Sequence, residues 1–261
     1  MDNIPVVIFC GGEGTRMRGG TLTKKELVEI GGRPVIWHVM RIFSAYGHNH
    51  FVLPLGYEAG QLKRYFLDYE PMTRDFTVTL GDHDKSIAFH GDAAHDPWQV
   101  SLVDTGLRTD KASRVARVAP HLTGERFFLT YGDGVGDVDI AALLDFHVAH
   151  GRLATITAIR PRAYQYGIMN AAEDGHVREY IQYPELPYWI NAGFMVFENR
   201  ALEWMQGGED LALETGVLQD MVEAGEVMMY RHHGFWQSMD TLKDANELEQ
   251  LWRKGAPWKV W

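Results

Sequence analysis

Cysteine is almost absent from this chain. Cys10 is the only one among 261 residues, so no intrachain disulfide framework is available. Positive charge is also in short supply: 25 Lys and Arg stand against 35 Asp and Glu, for a formal net charge of −10. That balance argues against a general nucleic-acid binder, whose phosphate contacts need a basic face, while leaving room for a local basic pocket. No apolar stretch approaches the ~18 residues of a membrane span. The start, Met1-Asp2-Asn3-Ile4-Pro5, has neither the basic n-region nor the apolar h-region of a signal peptide. The expectation is a soluble, cytoplasmic protein with no nucleic-acid and no membrane partner. Familiar catalytic signatures are missing too. There is no Gly-x-Ser-x-Gly elbow for a serine hydrolase. There is no His-Glu-x-x-His, and the pairs His147/His150 and His232/His233 have no cysteine set to complete a zinc site. No internal repeat or low-complexity tract is present.

What the chain does have is concentrated at its beginning. The apolar run Val6–Phe9 leads into Cys10-Gly11-Gly12-Glu13-Gly14-Thr15-Arg16-Met17. A buried strand ending in clustered glycines can present main-chain N–H groups to phosphate oxygens, since glycine allows close approach. Arg16 and then Lys24 or Lys25 would add full charge where negative charge gathers. The loop is not a P-loop, because no Gly-Lys-Ser/Thr closes it. Nor is it the dinucleotide fingerprint, because Met17 stands where the third glycine should fall. A tight strand-to-helix turn with a surface arginine accounts for the glycines equally well.

Along the rest of the chain, apolar runs alternate with helix-like stretches. Strands are predicted over 6–9, 51–55, 100–103, 127–130 and 154–159. Helices are predicted over 34–46, 58–69 (with a Leu62, Tyr65, Phe66, Tyr69 stripe) and 140–150, the last closed by Gly151. Near-continuous apolar strands alternating with helices predict an α/β, Rossmann-like, mainly parallel sheet covered on both faces. The stretch 73–96 reads as a hairpin over the sheet or as a flexible arm. Residues 167–197 read as antiparallel strands, and 211–224 and 241–254 as closing helices. The expectation is one domain over 1–261, with a small β-rich segment at about 160–200 and a helical closure at about 210–261. Ligands of such sheets gather at the carboxyl ends of strands, where the glycine loop and Tyr131-Gly132-Asp133-Gly134 both fall.

Two aspartates have the setting of ligands. Asp133 follows a strand between two glycines, and Asp240 lies in Gly234-Phe235-Trp236-Gln237-Ser238-Met239-Asp240-Thr241. Brought together, they would suit Mg2+, which takes few carboxylates and completes its shell with phosphate oxygens and water. Alone, Asp133 also reads as a turn residue and Asp240 as the N-cap of the helix that follows. Asp137 and Asp139 fit the entry of the 140–150 helix, where the dipole favours anions.

One ordered series of motifs makes the reading specific. Gly11–Arg16, Lys25, Val28-Glu29-Ile30-Gly31-Gly32, Trp37-His38, Gly56-Tyr57, Leu102-Val103-Asp104-Thr105-Gly106, Thr130–Gly134, Asp145-Phe146-His147, Gly193-Phe194, Gly234–Gln237, Met239–Leu242 and Gly255–Lys259 occur in the order seen in the glucose-1-phosphate cytidylyltransferases, a branch of the sugar-1-phosphate nucleotidylyltransferases. The chain resembles that family from its first strand to its last residues. The resemblance implies a nucleotidyltransferase fold and transfer of CMP from CTP to a phosphorylated sugar or related small-molecule phosphate, with release of pyrophosphate. It implies that Gly11, Gly12, Gly14 and Thr15 hold the nucleotide, with Thr105 and Gly106 near the base. Arg16 and Lys25 would be catalytic, Asp133 and Asp240 would share Mg2+, and Gln182, Tyr183 and Asn191 would face the acceptor. It also implies a homo-oligomer, into which a tail carrying Trp252, Trp258 and Trp261 could dock.

The chain departs from the family in two places. A Glu-Lys-Pro motif is expected where Gln182-Tyr183-Pro184 stands, so a carboxylate becomes an amide and a cation becomes a phenol. Losing a positive charge beside a dianionic substrate weakens binding or rate. Either the acceptor is not glucose 1-phosphate, or Arg160, Arg162 or Arg178 supplies the charge. The family's Lys-Pro-Lys-Pro is replaced by Thr23-Lys24-Lys25-Glu26, which leaves both lysines as candidates. A nucleotide-binding homologue without transferase chemistry is the alternative these departures raise.

Overall fold

The computed structural model describes residues 3–12, 23–81, 85–91, 96–161, 167–182 and 184–261. Through the first half, the strands are β1 (Val6–Phe9), β2 (Glu29–Ile30), β3 (Arg33–Pro34), β4 (His50–Leu55), β5 (Phe76–Leu80), β6 (Lys85–Phe89), β7 (Gln99–Asp104) and β8 (Arg126–Tyr131). They are followed by β9 (Gly134–Gly136), β10 (Ala154–Ile159), β11 (Ile168–Ala171), β12 (Val177–Ile181), β13 (Ile190–Glu198), β14 (Val227–Arg231) and β15 (Trp236–Ser238). The helices are α1 (Val35–Ser44), α2 (Ala59–Leu67), α3 (Tyr69–Thr73), α4 (Lys111–Val118), α5 (Ile140–His150), α6 (Leu218–Glu223) and α7 (Leu242–Arg253).

The central sheet has the order β14-β10-β13-β8-β1-β4-β7. All neighbours pair in parallel except around β13, which runs antiparallel to both β8 and β10. The carboxyl ends of β1, β4, β7, β8, β10 and β14 therefore share one edge of the sheet, and the start of β13 joins them there. β13 belongs to the central sheet rather than to a separate β insertion, because Ala192–Phe197 is a wholly buried apolar run that fits between two covered strands.

Apolar alternation along the strands feeds two cores. On one face, Val6, Ile8, Phe51, Leu53, Phe128 and Val196 pack under α1, α7 and Trp258. On the other, Val7, Val52, Phe127, Leu129, Met195 and Phe197 pack under α4 and α6. Helix α1 shows how local sequence serves this: Val35, Ile36, Val39, Met40, Ile42 and Phe43 are all buried, and Phe43 meets Phe128 and Phe194 at 5.3 and 5.7 Å between ring centroids.

Several expectations are refined by the packing. The predicted 58–69 helix breaks at Asp68 into α2 and α3, and only Leu62 of its stripe is buried. The 73–96 stretch carries the antiparallel hairpin β5–β6. Residues Leu213–Val217 form a wide π-turn before α6. Asp139 caps α5 by accepting from Ala142 N, whereas Asp137 turns instead to His232, 3.0 Å away. The tail folds back on its own chain: Trp258 is fully buried and donates from Nε1 to His38 Nδ1 at 3.3 Å. Trp252 and Trp261 pack on His38 as well. Gly31 makes room for this closure, since at φ +60° an added Cβ would lie 2.1 Å from the Trp252 indole nitrogen.

Candidate active site

The site is built at the carboxyl edge where β1, β4, β7 and β8 end. Beyond β8, the short ladder between β9 and β15 pairs Ser238 with Gly134, and Met239 N donates to Asp133 O at 2.8 Å. This ladder is what brings two aspartates from distant parts of the chain side by side. Lys25, in a single 3-10 turn (Lys25–Leu27), reaches between them: Nζ lies 2.6 Å from Asp133 Oδ2 and 2.8 Å from Asp240 Oδ1. Ser238 Oγ donates to the other Asp240 oxygen at 2.9 Å. Burial works against the Lys25 charge, but the charges and hydrogen bonds of Asp133 and Asp240 outweigh it and hold its pKa above the ordinary lysine value.

Asp240 is not the cap of the following helix. Thr241 is, with Asp244 at the third helical position completing a capping box: Thr241 Oγ1 accepts from Asp244 N, and Asp244 Oδ2 accepts from Thr241 N. The Asp240 carboxylate is left facing Lys25.

Lys24 and Lys25 have different duties. Lys24 is buried, and its Nζ donates to Tyr57 O at 2.9 Å and Gly12 O at 3.3 Å, so it anchors the glycine loop. Glu26, also buried, lies 3.6 Å from the same ammonium and packs beneath the Gly132–Asp133 turn. Its carboxyl is pushed up, chiefly by burial and against the pull of Lys24.

A second buried cation lies against Gly11, just past the end of β1. Arg114 of α4 donates to Leu55 O at 2.9 Å, Thr105 Oγ1 at 2.7 Å, Leu107 O at 3.4 Å and Gly11 O at 3.5 Å. One guanidinium thus ties together the ends of β1, β4 and β7. It also explains Gly11, where a Cβ would sit 2.5 Å from the guanidinium carbon. Thr105 is fully buried and its hydroxyl donates to Leu55 O, while Gly106 N donates to Asp104 Oδ1. The sequence reading passed over Arg114, Lys24 as an anchor, and Glu26. Arg114 sits in a polar segment that reads as surface, and its burial follows from carbonyls at three strand ends that only the fold assembles.

On the other side of β8, Tyr131 donates to Glu214 Oε1 at 2.8 Å, and Lys111 pairs with the same carboxylate. Burial opposes the Glu214 charge, but the hydrogen bonds from Lys111 and Tyr131 hold its carboxyl below the usual range. Asn191 Nδ2 donates to Tyr131 Oη at 3.4 Å, and its Oδ1 accepts from Gly193 N at 2.8 Å. Gln182 is exposed at the end of the β11–β12 hairpin and accepts from Tyr180 Oη at 2.6 Å. Gly14, Thr15, Arg16, Arg162 and Tyr183 lie outside the described residues. Of the remaining candidates, the structure joins Lys25, Asp133 and Asp240 directly. It ties Gly11 to Thr105 through Arg114, and links Gly12 to them through the residue before Lys25.

Two carboxylates converging on one cation fit what Mg2+ asks of a protein: few anionic oxygens, with room for phosphate and water. The Lys25 ammonium stands where such a charge is wanted.

Comparison with known proteins points the same way. Residues 5–252 match the family model described as nucleotidyl transferase. A Salmonella typhi protein named glucose-1-phosphate cytidylyltransferase is 39% identical over 259 residues, covering 98% of each chain. A Bacillus subtilis (strain 168) protein named probable glucose-1-phosphate cytidylyltransferase is 35% identical over 257 residues, covering 98% of this chain and 99% of its own. Among solved structures, HddC from Yersinia pseudotuberculosis superposes with a TM-score of 0.66, covering 95% of this chain and 99% of that one; at 16% identity this speaks for the fold alone.

Proposed function

We infer that this chain, which belongs to the nucleotidyl transferase family, transfers CMP from CTP to a phosphorylated sugar or related small-molecule phosphate, forming a CDP-linked product and releasing pyrophosphate. The observation that carries the reading is the meeting of Lys25, Asp133 and Asp240 beside the glycine loop at the carboxyl edge of the sheet. Attack of one phosphate on another needs charge neutralisation and in-line positioning more than a strong base. Gly11, Gly12, Gly14 and Thr15 would cradle the nucleotide. Arg16 would meet the departing pyrophosphate, and Lys25 the α-phosphate and the incoming phosphate. Thr105 and Gly106 would shape the wall beside the base, with Arg114 holding that wall to the loop. Asp133 and Asp240 would hold Mg2+, which supplies a Lewis acid to the crowded phosphate oxygens. With those carboxylates holding Mg2+, the Lys25 ammonium would be available to the phosphates of the substrate.

Asn191, Gln182 and Tyr183 would line the acceptor side. A homo-oligomer is the assembly the family resemblance implies, and light scattering on the eluted protein tests it. The function itself is tested by pyrophosphate release from CTP and Mg2+ with glucose 1-phosphate and a panel of other sugar, cyclitol and alcohol phosphates. Tight CTP binding with no release across the panel would overturn transfer.

A further inference from the structure

The outer part of the same sheet edge carries a cluster that the proposed chemistry leaves unused. Arg160 follows β10, Arg231 ends β14, and Trp189 precedes β13. The Arg160 guanidinium carbon lies 5.0 Å from the Trp189 ring centroid and that of Arg231 lies 5.8 Å from it, while the His233 ring meets Trp189 edge-on at 5.4 Å. Strand pairing explains the gathering. Ala158 pairs with Asn191 on one side and with Arg231 on the other, so these three share one face of the sheet. The pairing of Ile159 with Ile190 then sets Arg160 beside Trp189. A small alanine thus forms the floor between Asn191 and Arg231.

Two arginines gather on the Trp189 indole with little local acid among the described residues to balance them. The carboxylate beside Arg160 is Glu185 at 3.9 Å, with both side chains about half exposed, which is a weak partner. Among the described residues Arg231 makes no ion pair. Packing on Trp189 holds both guanidiniums in one place, and their N–H groups suit a closer anion than the Glu185 carboxylate. Distance decides which anion. At about 4.8 Å per strand, β10 lies ~10 Å and β14 ~14 Å from β8, beyond which Asp133 stands. That is too far to hold the reacting phosphate, and about the length of a substituted monosaccharide.

We propose that Arg160, Arg231, Trp189 and His233 form a subsite for a second anionic group, a carboxylate or phosphate, at the end of the acceptor remote from the phosphate that reacts. The inference rests on the transferase reading above and narrows its acceptor to one with a second anionic group, in keeping with Gln182, an amide that adds no negative charge to the acceptor side.

The test compares glucose 1-phosphate with glucuronic acid 1-phosphate and with glucose 1,6-bisphosphate, the two charged probes separating carboxylate from phosphate recognition. At least one of the two probes with a second anionic group is expected to exceed glucose 1-phosphate in kcat/KM by about tenfold or more, the effect of one charge-assisted hydrogen bond. The double substitution Arg160→Gln and Arg231→Gln should bring that ratio close to one, and each single substitution should lower it part of the way. Calorimetric titration of the same three compounds, with CTP present and Mg2+ withheld, reads binding without turnover and should show the same order, lost in the substituted protein. Equal affinities for all three probes, or a preference that survives the double substitution, would overturn the subsite. If no acceptor turns over while the titration shows the preference, it is the transferase reading that fails and the subsite that stands.

Discussion

Replacing Lys25 with Met should make this protein bind Mg2+ more tightly while destroying its turnover. The Lys25 ammonium sits within hydrogen-bond distance of both Asp133 and Asp240, so it would compete with a metal for those oxygens. Both carboxylate oxygens lie within 2.8 Å of one nitrogen, which keeps them close together. At about 5 Å and an effective dielectric of about 20, two unit negative charges repel by about 3 kcal/mol. Lys25→Met removes the neutralising charge and leaves that repulsion for a divalent ion to relieve. If about half of it is recovered on binding, affinity rises about tenfold. Calorimetry of the nucleotide-free protein with MgCl2 measures it directly, with Asp133→Asn as the control that should lose binding. Pyrophosphate release by Lys25→Met should meanwhile drop by about two orders of magnitude or more, as removal of a charge aimed at the transferring group does. Unchanged or weaker Mg2+ binding in Lys25→Met would refute the placement of metal and lysine on common ground.

Other outcomes follow from the same geometry. Asp133→Ala should lower pyrophosphate release by about two orders of magnitude with a near-native circular dichroism spectrum, since Asp133 lies beyond the buried body of β8. Gly11→Ala should weaken CTP binding and cost about 1–3 kcal/mol in urea melts, because the new methyl collides with a guanidinium fixed at four points. Trp258→Ala should cost about 3–5 kcal/mol, the range for emptying a buried aromatic site. Burial holds His38 down to about 4, and His48 likewise to about 4. The unfolded chain therefore takes up protons that the folded one refuses, and stability should be full above about pH 6.5 and fall between there and pH 4, by about 3 kcal/mol for such a histidine. Urea midpoints across that range check the sign; a midpoint that rises on acidification contradicts it.

The inner strands were legible because β1, β4, β8 and β10 are apolar runs too short for helices that alternate with longer helical stretches, as a doubly covered sheet requires. Helix α5 was legible to the residue because Asp139 and Gly151 mark both its ends. Helix α4 was not, being short and carrying Lys111, Arg114 and Arg117, whose partners come from elsewhere in the fold. Edge strand β14 was also missed: residues 227–230 are a short apolar run, a pattern that by itself does not separate a strand from a helical segment. Of the site, the motif resemblance named Lys25, Asp133 and Asp240 and set the two acids on one metal, but the direct ion pairing of Lys25 with both acids was not foreseen. The division between Lys24 and Lys25 depends on which way each side chain leaves one tight turn. The true cap of α7 was written in Thr241 and Asp244, three apart, while Asp240 drew attention by its charge.

The two acids that share Lys25 are reached at very different times during synthesis. Asp240 follows Lys25 by 215 positions, and the β9–β15 ladder that aligns it with Asp133 closes only when Trp236–Ser238 has been made. A nascent chain therefore carries Lys25 and its turn long before both of the acids that pair with it have been made, and a product truncated before residue 240 would lack half of that acid pair.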